Sequence, residues 1–327
     1  MGELADRKLD TEARITKLRE QLQNAEALAK AKACVYVTGS YGRLEASPHS
    51  DLDLFIVGKS DNEGKSLLKR LDEICIKADL IEVTRKLGIP EFSGDGRYLV
   101  NYSVSELTKT LGTPKDDVEN TFTARLLLLL ESRPLLEQVV YSEVTQDVIA
   151  AYWRDYEDHS ATFMPAFLAN DILRLWRTFC VNYEARTERV PDEEKAKGKL
   201  KNYKLKHSRL LTCYSALLYL LAVYRLQGTV TPSDAITMIN MTPTGRLRWL
   251  LDQSDLKSAH GALCTLLDQY EVFLQATNAA ENELVRRFMN KSTSRDYMDA
   301  AYKFGDMVYQ ALTAIGNGSR FQRLLIV

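Results

Sequence analysis

Asp51 and Asp53 stand either side of one leucine at the head of an apolar run, Leu52, Leu54, Ile56 and Val57. Side chains two apart on a strand share a face. An extended chain here therefore presents two carboxylates together, ~6–7 Å apart along the strand. Mg²⁺ (or Mn²⁺) suits such a pair, because hard cations take one or two carboxylates and leave their other positions to water and substrate phosphates. Upstream, a second apolar run containing Val35 and Val37 ends at Gly39-Ser40. A glycine there lets the backbone approach a phosphate closely, and the serine adds a hydroxyl beside it. A triphosphate held at that turn would reach a metal held by Asp51 and Asp53.

Gly39-Ser40-Tyr41-Gly42-Arg43 followed by Ser50-Asp51-Leu52-Asp53-Leu54 resembles the signature of the DNA polymerase β-like nucleotidyltransferase superfamily. Within it, the run looks most like the branch of uridylyltransferases that modify PII proteins, which carry glycine in place of Ser40. The resemblance implies a small mixed sheet and transfer of a nucleoside monophosphate from an NTP or dNTP, with release of pyrophosphate. It also implies nucleotide contacts from Gly39, Ser40, Arg43 and Ser50. Superfamily members place a third carboxylate on a neighbouring strand, where it completes the metal site and helps deprotonate the acceptor. The strand expected at Tyr98–Val104 offers Asn101 instead of an acid. Asp95, in the glycine turn before it, is the expected third metal-binding and catalytic acid, with Glu91 second. The competing reading of Asp95 is a turn aspartate that caps its own backbone.

The elements that must position these residues read as α+β. Residues 3–33 carry Ile15, Leu18, Leu22 and Ala25 at helical spacing, which predicts one long amphipathic helix. The two strands follow, then a helix over Lys65–Leu87 stopped by Gly88 and Pro90. A helix from Asp116 to Ser132 contains five consecutive leucines and is expected to be buried. Its segment Thr121-Phe-Thr-Ala-Arg125-Leu-Leu resembles the helix that closes the uridylyltransferase domain. Arg125 is expected to be structural, paired with an acid such as Glu131 or Asp117. Beyond residue 138 strand signals vanish. Breaks at Pro165, Gly228–Pro232, Thr242–Gly245 and Gly316–Gly318 divide a run of helices. The expected domains are an N-terminal helix over 1–33 packed on the catalytic domain, a nucleotidyltransferase domain over 34–137 and an all-α helical domain over 138–327.

In that helical half, Thr187–Lys199 reads as an exposed charged loop. Lys199, Lys201, Lys204, Lys206 and Arg209 then cluster where a helix is expected to begin, a position that favours phosphate. The cluster resembles an Asn-x-Lys…Arg segment of the uridylyltransferase branch, which implies that Lys204 and Arg209 face the triphosphate or a nucleic-acid-like product. Asn170, Arg174 and Arg177 share a helix face, which suits either a cleft lining or a salt-bridge face. The four histidines are isolated, so a hydrolase triad is not supported.

A formal net charge of −1 gives no global field favouring nucleic acid or membrane. Five scattered cysteines imply neither a zinc site nor disulfides. With no signal-peptide core and no apolar run long enough for a membrane, the expectation is a cytoplasmic protein. The acceptor stays open: a protein hydroxyl, as the resemblance implies, or another nucleotide, as in synthases of short oligonucleotide signals in bacterial antiviral defence. A non-catalytic nucleotide-binding regulator acting through a partner protein is the alternative of a different class.

Overall fold

A computed structural model describes residues 2–92, 96, 99–184 and 191–326. Two compact units divide the chain, Met1–Arg154 and Asp155–Val327.

The first unit is built on a four-stranded sheet of order β3-β2-β1-β4, with β1 Ala33–Val37, β2 Leu54–Gly58, β3 Asn101–Ser103 and β4 Arg133–Leu136. β1 pairs antiparallel with β2 and β4, and β2 pairs parallel with β3. Both faces are covered, so β1 and β2 read as unbroken apolar runs. On one face, α1 (Glu3–Gln21), α2 (Gln23–Ala29) and α4 (Arg70–Lys86) bury Ile15, Leu18, Leu22 and Leu80 against Val35, Val37, Leu54 and Ile56. Between them in sequence, the single turn α3 (Gly39–Gly42) follows β1. The opposite face carries Tyr36 stacked on Phe55, ring centroids 5.6 Å apart. There it meets α5 (Val104–Lys109), α8 (Gln138–Tyr152) and, through the Tyr36 hydroxyl donating to the Ala124 carbonyl, α7 (Thr121–Glu131), on which α6 (Lys115–Val118) packs.

The expected N-terminal helix is two, broken at the buried Leu22. Its apolar spacing runs through the break, which hid it. The helix expected from Asp116 is likewise split by Asn120 in the left-handed region, φ 57°. Leu126–Leu130 are all buried, as five leucines in a row require. Arg125 is structural, but its acid is Asp116: Nη1 donates to Oδ1 at 2.9 Å and Nη2 to Oδ2 at 2.5 Å, with both side chains fully buried. β4 was not expected, because Pro134 reads as a breaker. It is tolerated because β4 is an edge strand, where a missing N–H costs no ladder bond.

The second unit is helical: α9 Ala166–Glu184, α10 Asp192–Lys204, α11 Leu210–Gln227, α12 Pro232–Asn240, α13 Pro243–Leu251, α14 Lys257–Ala276, α15 Glu281–Met289, α16 Lys291–Gly316 and α17 Arg320–Ile326. Its breaks follow local chemistry. Gly228 ends α11 at φ 78°, and Thr231 caps α12 through a capping box with Asp234. Thr242 accepts from the Gly245 N–H to start α13. The loop expected at Thr187–Lys199 is corrected from 192 onward, where α10 is helical. α10 continues through a π-helical turn, Leu205–Arg209, into α11. The resulting helix, Asp192–Gln227, contains one window long and apolar enough to cross a membrane, and 72% of that window is buried in the fold.

Candidate active site

The site grows from the end of β1 and the approach to β2. β2 starts only at Leu54, so Asp51 and Asp53 sit just ahead of it and not inside it. The pairing still extends one step, because the Thr38 N–H donates to the Asp53 carbonyl at 2.8 Å. Alternation holds through this lead-in: Leu52 is buried, whereas Asp51 and Asp53 are both partly exposed. The two acids therefore keep the common orientation expected of i and i+2 positions.

Gly39 adopts φ 62°, and a Cβ there would lie 2.8 Å from Oδ2 of Asp53. The bare Cα is what lets that carboxylate settle over the turn. The Gly39 N–H donates to Oε1 of Glu131 at 3.3 Å, so this donor is already engaged within the chain. Ser40 is the open member. Neither its N–H nor its hydroxyl has a hydrogen-bond partner among the described residues.

Gly42 has a different task. A Cβ there would sit 1.9 Å from the Glu131 carbonyl oxygen, because the end of α7 presses directly on α3. Arg43 locks the same junction, its Nε bonding Glu45 at 2.9 Å and its Nη1 bonding Glu131 at 2.8 Å, all three side chains buried. Arg43 thus holds the turn in shape from below. Ser50 closes the 47–50 turn: its Oγ accepts from the Ser47 N–H at 3.0 Å.

Asp95 lies outside the described residues. Glu91 is exposed and pairs with Arg85 at 3.5 Å. Asn101 donates to Glu73 of α4 at 3.4 Å, and its register partner is Ile56, so it shares the α1–α4 face and not the face of the acids. Among the described residues no group of three or more acids, histidines or cysteines could hold a metal ion.

Lys204 and Arg209 belong to the second unit. Lys204 is exposed at the end of α10, and the Arg209 guanidinium lies 5.3 Å from the Phe179 ring centroid. The expectation that they sit at a helix start is corrected. They lie inside the continuous helix Asp192–Gln227, where backbone N–H groups are used internally. Arg174 and Arg177 line a separate pocket of about 340 Å³ on α9.

Sequence reasoning missed Glu131 as the group that clamps Gly39 and Arg43. Its only signal was an acid ending an apolar helix. Residues 15–94 match the family model of the nucleotidyltransferase domain. No curated protein matches the chain. The match covers about a quarter of the sequence, from α1 to the loop after α4, and contains Gly39, Ser40, Asp51 and Asp53. It supports the polymerase β-like reading of the motif, and nucleotidyl transfer in general as its chemistry.

Proposed function

We propose that the chain moves a nucleoside monophosphate from an NTP or dNTP to an acceptor hydroxyl. The acceptor oxygen bonds to the α-phosphorus, the α–β anhydride bond breaks with its electrons leaving on pyrophosphate, and the hydroxyl proton passes to solvent. The observation that carries this reading is the Asp53 carboxylate lying over the bare Cα of Gly39, beside the open donors of Ser40. That arrangement sits inside the segment matching a nucleotidyltransferase domain.

Two partly exposed carboxylates suit Mg²⁺ or Mn²⁺, which keeps waters and substrate phosphates as its other ligands. Asp51 and Asp53 would hold it, and when bound it would neutralise charge developing on the α-phosphate. The chain's own contributions are local. Ser40 donates to a phosphate oxygen through its N–H and hydroxyl. Gly39, lacking a Cβ, leaves room for the Asp53 carboxylate beside that oxygen. Glu131 and Arg43 keep the turn from shifting, which matters because misplacing reacting groups by ~1 Å costs ~100-fold in rate.

The test is pyrophosphate release from each NTP and dNTP with Mg²⁺ or Mn²⁺, comparing wild type with Asp51→Asn/Asp53→Asn. Aspartate-dependent release from one nucleotide is the expected result. Release that survives the double substitution overturns the reading.

A further inference from the structure

A recess of about 290 Å³ opens in the first unit between α1 and the segment that follows α4, with Ser50 at its edge. Arg14 and Lys17 of α1 line it together with Tyr41, Ser50, and Leu87 and Ile89 beyond the end of α4. Ser50 immediately precedes Asp51, and the Asp51 charge reaches the Tyr41 phenol. The recess lies on the α1–α4 side of the sheet, and Ser50 at its edge leads to Asp51.

Its chemistry is unbalanced as it stands. Arg14 donates to the Ser47 carbonyl at 2.7 Å, yet neither Arg14 nor Lys17 is ion-paired with a carboxylate among the described residues. The two cations are three apart on one helix and so share a face, where like charges repel. Tyr41 is 1% exposed, and among the described residues its hydroxyl has no partner at full hydrogen-bond geometry, the Arg14 guanidinium being the donor that approaches it. Arg14 and, with the opposite sign, Asp51 are the charged groups that act on that hydroxyl. A buried hydroxyl without a partner costs stability, and an anionic oxygen between Tyr41 and Arg14 would satisfy both. Leu87 and Ile89 add an apolar wall suited to the carbon face of a sugar or base. The volume is near the low end for small-ligand pockets, which are roughly 300–1,000 Å³. It fits a nucleotide-sized group better than a protein surface.

We propose that this recess is the acceptor's anion subsite. It takes the phosphate of a nucleotide or similar phosphate ester and brings that molecule's free hydroxyl to Asp51. The word acceptor rests on the nucleotidyl-transfer reading; phosphate binding at the recess does not. An amine-rich acceptor is disfavoured, because Arg14 and Lys17 would repel it.

The experiment measures binding of inorganic phosphate, 5′-AMP and adenosine to the full chain by calorimetry. The proteins are wild type, Lys17→Glu, Arg14→Gln, Tyr41→Phe, and Asp51→Asn/Asp53→Asn. Lys17→Glu decides, because Lys17 is exposed and its replacement leaves the fold intact, whereas Arg14 also holds Ser47. Phosphate and AMP are expected to bind wild type and the double aspartate variant alike. Lys17→Glu and Arg14→Gln should each weaken both ligands by about tenfold or more, as loss of a charged hydrogen-bond partner does. Tyr41→Phe should weaken them less, and adenosine should be indifferent to Lys17→Glu. Phosphate binding that is absent from wild type, or unchanged by Lys17→Glu, overturns the subsite. If pyrophosphate release fails while phosphate binding still depends on Lys17, the transfer reading falls and the subsite stands. If release survives and that dependence is missing, the subsite alone falls.

Discussion

Gly39 and Gly42 sit three residues apart, yet a methyl group would do different harm at each. At Gly39 it meets a carboxylate oxygen at the end of a side chain, 2.8 Å away, in a backbone already at φ 62°. The strain of a side chain there costs about 1–2 kcal/mol, and Asp53 can swing aside. Gly39→Ala is therefore expected to fold with a modest stability loss while pyrophosphate release drops about 100-fold, since the displaced group is the one that must be placed. At Gly42 the clash is with the backbone carbonyl of Glu131 at 1.9 Å, which cannot yield without moving α7. Gly42→Ala should cost about 3 kcal/mol or more, at the upper end for overpacking. Urea unfolding of the two variants should separate them, and the order of stabilities must not reverse. Cysteine reactivity gives a further residue-scale check. Burial pushes the Cys34 thiol up to about 12, so it stays protonated and inert. Exposed Cys75 and Cys264 should alkylate with iodoacetamide at pH 8 in the native state, and Cys34 only on unfolding.

At the scale of elements, the junction between α7 and α3 explains why the motif is shaped as it is. Glu131 reaches the Gly39 N–H with one oxygen and Arg43 with the other, so the end of one helix sets the conformation of a turn far away in sequence. Arg43→Ala would leave Glu45 and Glu131 buried without this cation. Breaking such a pair costs about 3–5 kcal/mol, and thermal denaturation should show it even if the variant is inactive for other reasons. What was legible in the sequence follows from range. The glycine turn, the alternation at Asp51-Leu52-Asp53 and the capped starts of α12 and α13 are local, and each carries its own signature. The partners of Arg43 and Arg125 are set by packing, and the sequence held several acids equally near. Glu131 or Asp117 was expected beside Arg125, whereas Glu131 holds Arg43 and Asp116 holds Arg125, because Asp116 belongs to a helix whose boundary at Asn120 no periodicity revealed. The charged stretch 192–204 reads as loop because it has few apolar residues. It is helical because Ala196, Leu200 and Tyr203 still bury one narrow face.

For the whole molecule, the two units rest on different kinds of core, and pH should separate them. In the second unit His207 sits in the π-turn between α10 and α11. Its ring stacks on Phe273 at 4.5 Å and packs against Phe304 and Tyr203. Its Nδ1 lies 2.9 Å from the Tyr203 carbonyl. A carbonyl can only accept, so Nδ1 carries the proton of a neutral imidazole. Burial lowers the folded-state pKa from 6.5 to about 4, the Tyr203 bond opposing only in part. The unfolded chain therefore binds a proton as pH falls below 6.5, while the folded chain does not until about 4. Stability from this group is complete above 6.5 and is lost progressively down to about 4, in total about 3 kcal/mol. His207→Phe keeps an aromatic ring against Phe273 but cannot titrate, so its unfolding free energy should lack this slope between pH 7 and 5, whatever its absolute value. Hydrogen exchange should place the wild-type acid loss in α11, α14 and α16, with protection of the first unit's sheet unchanged over the same interval. Equal slopes in wild type and His207→Phe would show that acid sensitivity arises elsewhere.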